Sequence, residues 1–152
     1  MEDSLLIALQ KAKHYCAYQE RCHSEVRDKL YSLGLRKKEV EQLLTQLIEE
    51  DYLSEERFAI AYAGGKFRTK HWGKEKIKNA LKQKQVSDYC IRKALVSISS
   101  SDYNRTFFSI ANKKLATLKG EKNIFIKKRK IKDYLLQKGF EIKQINDYLK
   151  AL

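Results

Sequence analysis

One apolar pattern recurs three times along this chain. Val26, Ile77 and Ile131 align, and four residues later stand Leu30, Leu81 and Leu135. Nine residues on come Leu35, Val86 and Phe140, then Val40, Ile91 and Ile145 at fourteen, and Leu44, Leu95 and Leu149 at eighteen. The copies are offset by 51 and 54 residues. Within each copy the first two positions share one helix face, and the last two share a face of a second helix. A break lies between them. Gly34 and Gly139 occupy it in copies one and three, where a helix C-terminus wants a left-handed residue followed by an apolar one. Copy two has Gln85 there, so its turn must carry modest strain or close differently.

A further helical stretch precedes each anchor: Leu5 to Tyr18, Glu55 to Phe67 and Asn104 to Leu118, rich in Ala, Leu, Ile, Phe and Tyr at 3–4 spacing. The third helices are expected over Glu39 to Leu47, Tyr89 to Val96 and Lys143 to Leu149. No segment alternates as a half-buried strand does. The expected fold is all-α, a tandem array of three three-helix repeats spanning residues 1–52, 53–100 and 101–152, elongated and curved. Units of about 50 residues bury little surface alone, so they should stack on neighbours or on a partner. The absence of proline lets helices run between units. Gly64-Gly65, near the end of the second copy's first helix, is expected to bend or terminate it.

With 43% hydrophobic residues the chain can build a core. No apolar run approaches the ~18 residues of a membrane span. The start, Met1-Glu2-Asp3-Ser4, is acidic and unlike a secretory signal. Three cysteines without framework spacing fit reduced thiols, and hence a cytoplasmic location.

The net charge of +13 is uneven. Residues 1–50 carry −1, residues 51–100 carry +6 and residues 101–152 carry +8. Lys66 to Lys84 holds eight basic residues against Glu75, and Lys113 to Lys132 holds nine against Glu121. Such faces attract polyanions, although Lys-rich helix faces also serve solubility, and charge alone does not separate DNA, RNA and an acidic protein groove. In the first dense segment Lys66, Arg68 and Lys70 lead into a helix with Lys74, Lys78 and Lys82 at i, i+4 and i+8, a row able to meet successive phosphates. Lys127, Lys128, Arg129, Lys130 and Lys132 occupy the matching place in copy three. Copy one has only Arg21 and Arg27 there, balanced by Glu20, Glu25 and Asp28. Polyanion contact is therefore expected of copies two and three.

Other chemistry is sparse. There is no Gly-rich phosphate loop, nucleophile elbow or paired-His helix motif, so neither an enzyme nor a cofactor is expected. His14, Cys16, Cys22 and His23 are zinc-ligand types, but their spacing fits no usual finger and Cys16 sits among Ala12, Tyr15 and Ala17, so the cysteines read as structural. Trp72 is expected to lean on a neighbouring helix in preference to stacking on a base. The nine tyrosines, interleaved with core positions, read mostly as packing.

The stretches CHSEVRDKLYSLGL, VEQLLTQLIEEDYLSEERFAIAY and WGKEKIKNALKQKQV resemble the RecX regulatory proteins of bacteria. The features that carry the likeness are Ser24 before Lys29-Leu30, Tyr52-Leu53 before the acidic pair Glu55-Glu56, Arg57-Phe58-Ala59, and Gly73 before a repeat's second helix. The likeness covers essentially the whole chain, with departures at Gly64-Gly65 and Gln85. It implies a protein of DNA recombination, repair and the SOS response. Such a protein binds the RecA recombinase filament on DNA, lies in its groove as a monomer, touches single- or double-stranded DNA, and restrains strand exchange and coprotease activity. No membrane contact and no catalytic residues come with the resemblance. A plain DNA-binding protein of helix-turn-helix-like units is the alternative. Gln42, Gln46, Arg92, Gln144 and Asn146 on the third helices offer little for base readout, so such binding would be nonspecific. An RNA-associated basic protein is a third class that stays open.

Overall fold

The computed structural model describes residues 2–152, so Met1 of the acidic start and of the first repeat lies outside the described residues. The described chain is helical throughout: α1 Asp3–Tyr18, α2 His23–Ser32, α3 Lys37–Glu49, α4 Glu55–Lys70, α5 Lys74–Gln83, α6 Asp88–Val96, α7 Ser100–Thr117, α8 Ile124–Lys138 and α9 Ile142–Lys150. Among the described residues there is no strand. The five repeated apolar positions are buried in every copy except at Leu35 and Leu95, which are half-buried. Burial of those side chains, at about 25 cal/mol per Å² of apolar surface, is what makes the periodicity fold.

The chain divides into two compact units. One takes the chain up to Tyr62 together with Leu81–Ala94; the other takes Ala63–Ala80 with Leu95–Leu152. The first has an aliphatic core, in which Leu5, Leu9 and Ala12 of α1 meet Val26 and Leu30 of α2 and Val40, Leu43, Leu44 and Leu47 of α3. Cys16 and Cys22 are buried, the latter completely, and burial pushes both thiols up from their ordinary value. The Cys22 amide donates to Glu25 Oε1 at 3.0 Å and so closes the start of α2. Arg57 fastens α4: its Nε lies 3.1 Å from Glu20 Oε2, and its Nη1 lies 2.7 Å from Asp51 Oδ1 in the left-handed turn after α3. Leu53, Phe58 and Ala59 beside it are buried, so the Tyr-Leu and Arg-Phe-Ala residues build a joint.

The second unit has an aromatic core. Phe107 and Phe140 meet edge to face at 5.2 Å, Tyr103 lies 5.4 Å from Phe140, and Phe67 lies 5.8 Å from Tyr103. The Tyr103 hydroxyl donates to Glu141 and accepts the Lys74 amide at 2.9 Å, which serves one of the orphan N–H groups at the start of α5. Burial first, and then the Glu141 contact, raise the Tyr103 phenol far above the usual tyrosine value.

The same junction recurs in both units. The start of one copy's second helix docks on the turn that ends the next copy's second helix. In the first unit Ser24 Oγ donates to the Lys84 carbonyl at 2.8 Å. In the second, the Gly73 amide donates to the Lys138 carbonyl at 2.7 Å and the Glu75 amide to the Gly139 carbonyl at 2.9 Å. Lys84 and Lys138 are repeat equivalents, 54 residues apart. A Cβ built on Gly73 would lie 2.4 Å from the Gly139 carbonyl carbon, so only glycine admits this backbone approach.

Two expectations resolve. The turns after α2, α5 and α8 close alike: Gly34, Gln85 and Gly139 have φ of 87°, 64° and 98°. Gln85 therefore bears the left-handed strain in place of a different closure. Gly64-Gly65, in contrast, does not end its helix, since α4 continues to Lys70. Gly64 is buried beneath the Arg68 guanidinium, whose nearest nitrogen would stand 2.7 Å from a Cβ there. The surrounding packing outweighs the ~1 kcal/mol helix penalty of each glycine.

In urea unfolding, Gly73→Ala should lower stability by about 1–3 kcal/mol through overpacking against backbone. Gln85→Gly should raise it by about 1 kcal/mol by relieving the left-handed conformation.

Candidate nucleic-acid interface

The two dense basic segments lie on α4, α5 and α8. Lys66, Arg68 and Lys70 occupy the last turns of α4, and Lys74, Lys78 and Lys82 run along one side of α5 at helical spacing. Ile77 and Leu81 on the same helix are fully buried, which turns that lysine row away from the core. On α8, Ile131 and Leu135 fill the core while Arg129 and Lys130 are exposed and Lys127, Lys128 and Lys132 half-buried.

Several cations of the first copy have partners, although Lys11, Arg36, Lys37 and Lys38 belong to no ion pair among the described residues. There, Lys13 meets Glu50 at 3.6 Å, Arg27 meets Glu41 at 2.9 Å, and Arg21 stands 3.7 Å over the Tyr15 ring while donating to the Tyr15 carbonyl. Glu41, on α3, is thus the partner of Arg27, although Glu25 and Asp28 are nearer in sequence. Lys84, in the same unit, pairs with Glu25 at 3.7 Å. In the two candidate segments, Lys130 reaches Glu121 at 4.0 Å. Among the described residues Arg68, Lys70, Lys78, Lys82, Lys127, Lys128, Arg129 and Lys132 belong to no ion pair. Exposed pairs contribute little to stability, about 0–1 kcal/mol each, so the contrast matters for the field left outside and hardly for the fold.

Trp72 is half-buried, with the Lys66 ammonium 5.1 Å and the Lys76 ammonium 4.8 Å from its ring. Its faces serve cations of its own chain. Among the described tyrosines Tyr103 and Tyr148 are buried and Tyr15, Tyr62 and Tyr134 half-buried, with Tyr15 packed against the first core, while Tyr18, Tyr31, Tyr52 and Tyr89 are exposed. Tyr15, Tyr18, Tyr52, Tyr62, Tyr89 and Tyr134 are exposed or half-buried and each has a Lys or Arg within 6.0 Å of its ring. A tyrosine beside the core stripe can pack there and also present its ring to neighbouring cationic side chains. Lys74 is held likewise, 4.9 Å from the Tyr103 ring, which makes it a less available cation than Lys78 or Lys82.

Sequence reasoning left out Lys76 and Lys138, which cross the second unit's junction. Lys76 Nζ donates to the Gln137 carbonyl at 3.5 Å, and Lys138 Nζ donates to the Lys70 carbonyl at 3.2 Å. It also left out Phe125, whose side of α8 a three-copy alignment does not cover. Among the described residues no three His, Cys, Asp or Glu side chains gather as a metal site, and the His23 ring instead faces Glu55 at 3.8 Å. A groove of about 760 Å³ between α7 and α9 is lined by Tyr103, Phe108, Glu141, Lys143, Gln144 and Tyr148. Its polar groups are largely engaged, Tyr103 with Glu141, Gln144 with Asn104 and Tyr148 with Asn112. No helix among the described residues is long and apolar enough to cross a membrane.

Known proteins share this pattern. The regulatory protein RecX of Clostridium perfringens (strain SM101 / Type A) is 30% identical over 152 residues, covering 99% of this chain and 71% of the relative. The chain belongs to the RecX family. Residues 54–95 match the family model for the RecX second three-helix domain, and residues 101–149 match that for the third. The regulatory protein RecX of Bacillus licheniformis is 32% identical over 146 residues, 95% of this chain and 54% of that protein. The crystal structure of RecX from Lactobacillus salivarius superposes with a TM-score of 0.87 at 27% identity, covering 100% of both chains. The fold is thus the all-α, repeated three-helix architecture of RecX proteins, and the role is that of a regulatory protein family.

Proposed function

We propose that this RecX-family chain binds the RecA recombinase filament on DNA and inhibits its recombination and coprotease activities, and through the latter the SOS response. It would act in the cytoplasm as a monomer of three three-helix repeats, 1–52, 53–100 and 101–152, without catalysis. The observation that carries the reading is the uneven electrostatic pairing. In the first copy Arg27, Lys13 and Arg21 are matched by Glu41, Glu50 and the Tyr15 ring, and residues 1–50 carry a net charge of −1. Arg68, Lys70, Lys78, Lys82 and the cluster Lys127 to Lys132, in contrast, lie in segments dominated by basic residues and are left largely to solvent. A polyanion or an acidic filament groove meeting these faces would release their counterions, giving a steep fall of affinity with salt. The mechanism is obstruction: a helical protein seated by its basic faces would keep a second duplex or a repressor substrate out of the groove.

The test is RecA strand exchange and ATPase on single-stranded DNA, with this protein added well below both RecA and DNA phosphate. Inhibition at low stoichiometry is expected, and the triple reversal Lys74→Glu, Lys78→Glu, Lys82→Glu should weaken it at least about tenfold while leaving the circular dichroism unchanged. Inhibition that appears only when protein coats the DNA would contradict the reading and favour a nonspecific DNA-binding protein.

A further inference from the structure

The third copy departs from the repeat in one place. Helices α2 and α5 each begin three residues before their anchors Val26 and Ile77, whereas α8 begins seven before Ile131. The additional turn is well formed, since Asn123 Oδ1 accepts the Phe125 amide at 2.9 Å and the Ile126 amide at 3.3 Å. Yet it places apolar side chains in water: Phe125 is 81% exposed and Ile124 is 43% exposed. Phe125 meets no other ring among the described residues. Neither the core nor the repeat requires a phenylalanine there.

Its neighbours are cationic. Lys128 and Arg129 stand three and four residues further along α8 and so share the face of Phe125. Lys122 precedes the helix, and Lys127 adjoins Ile124 at the same spacing. None of these four is in an ion pair among the described residues. Glu121, just before the helix, is occupied by Lys130 and by the Asn123 amide at 3.1 Å, and Asp133 lies two turns beyond Phe125.

We propose that the first turn of α8 is a contact site for single-stranded nucleic acid, with the Phe125 ring as a platform for one unpaired base and Lys122, Lys127, Lys128 and Arg129 as the flanking phosphate contacts. This deepens the polyanion reading above and rests on it. Phenylalanine has no donor or acceptor, so it reads no base edge; it can only stack, and a base can reach an exposed ring only when it is out of its pair. A second copy of this chain would bring the same net charge of +13 to this cationic rim, so like charge opposes self-association there. Charge therefore selects a polyanion over self-association.

The test compares two oligonucleotides of about 16 nucleotides, one an oligothymidylate and the other of the same length and charge but abasic, in fluorescence anisotropy across a salt series. The native chain should bind the oligothymidylate about tenfold tighter than the abasic strand. Phe125→Ala should lose that preference while keeping its abasic affinity and its salt slope, and Phe125→Trp should retain it. The ring lies outside the core, so the variant's melting temperature should match the native chain's. Equal preference in the native chain and Phe125→Ala would overturn the platform alone. If Lys127→Glu, Lys128→Glu leaves both affinities and the salt slope unchanged, the phosphate contacts fail, and with them the polyanion reading of α8. Concentration-dependent association in sedimentation velocity that Phe125→Ala abolishes would reassign the face to a second copy.

Discussion

Two backbone carbonyls, those of Lys84 and Lys138, set how successive copies join. Each ends the second helix of its copy and lies just before a left-handed residue that turns the chain back, so it points outward and receives a donor from the preceding copy. The donors differ in kind, a serine hydroxyl in one unit and a glycine amide in the other, but the acceptor is conserved by geometry. A three-helix unit of about 50 residues has too little interior to be stable alone. Its neighbours supply the missing burial through this contact, and the Gly73 approach to Gly139 allows backbones to meet where side chains would otherwise hold them apart.

That mode of assembly leaves long helix sides uncommitted. The core takes the stripe of Ile77 and Leu81 on α5 and of Ile131 and Leu135 on α8. What remains is filled mostly with lysine and arginine, with Glu75 on α5 and Asp133 on α8 as the carboxylates of these two helices. Where a cation is needed for structure it is tied to an aromatic ring or a carboxylate, as Arg21 is to Tyr15 and Arg57 is to Glu20 and Asp51. Where it is not tied, it contributes to an external field. Regulation by occupancy, which is the proposed role, needs folded units carrying such a field and no reaction chemistry.

Much of the fold was legible because periodicity is a consequence of burial. Val26, Ile77 and Ile131 could be aligned on sequence since each fills the same place against the same neighbours. The junction was not legible, because it is made of main-chain atoms: nothing in the letters Lys84 and Lys138 says that their carbonyls accept. Gly73 signalled it faintly as a motif residue, and Gly139 signalled a turn without its partner. As a helix stop Gly64-Gly65 misled for the converse reason, since local propensity is overruled when one glycine is buried under Arg68 and α4 runs on to Lys70. In the candidate site the cationic residues were readable from composition, but their availability was not. Lys74 and Lys78 look alike in sequence, and the Tyr103 ring separates them.

The proposed contact faces are tested most directly by amide hydrogen exchange of this protein, read by mass spectrometry, with and without a RecA filament on single-stranded DNA. Added protection should concentrate in the peptides covering residues 66–84 and 121–132, with α3, whose Glu41 pairs with Arg27, little changed. Protection concentrated instead in α1 to α3, with α5 and α8 exchanging as in the free protein, would contradict a regulator that docks by the basic faces of its second and third copies.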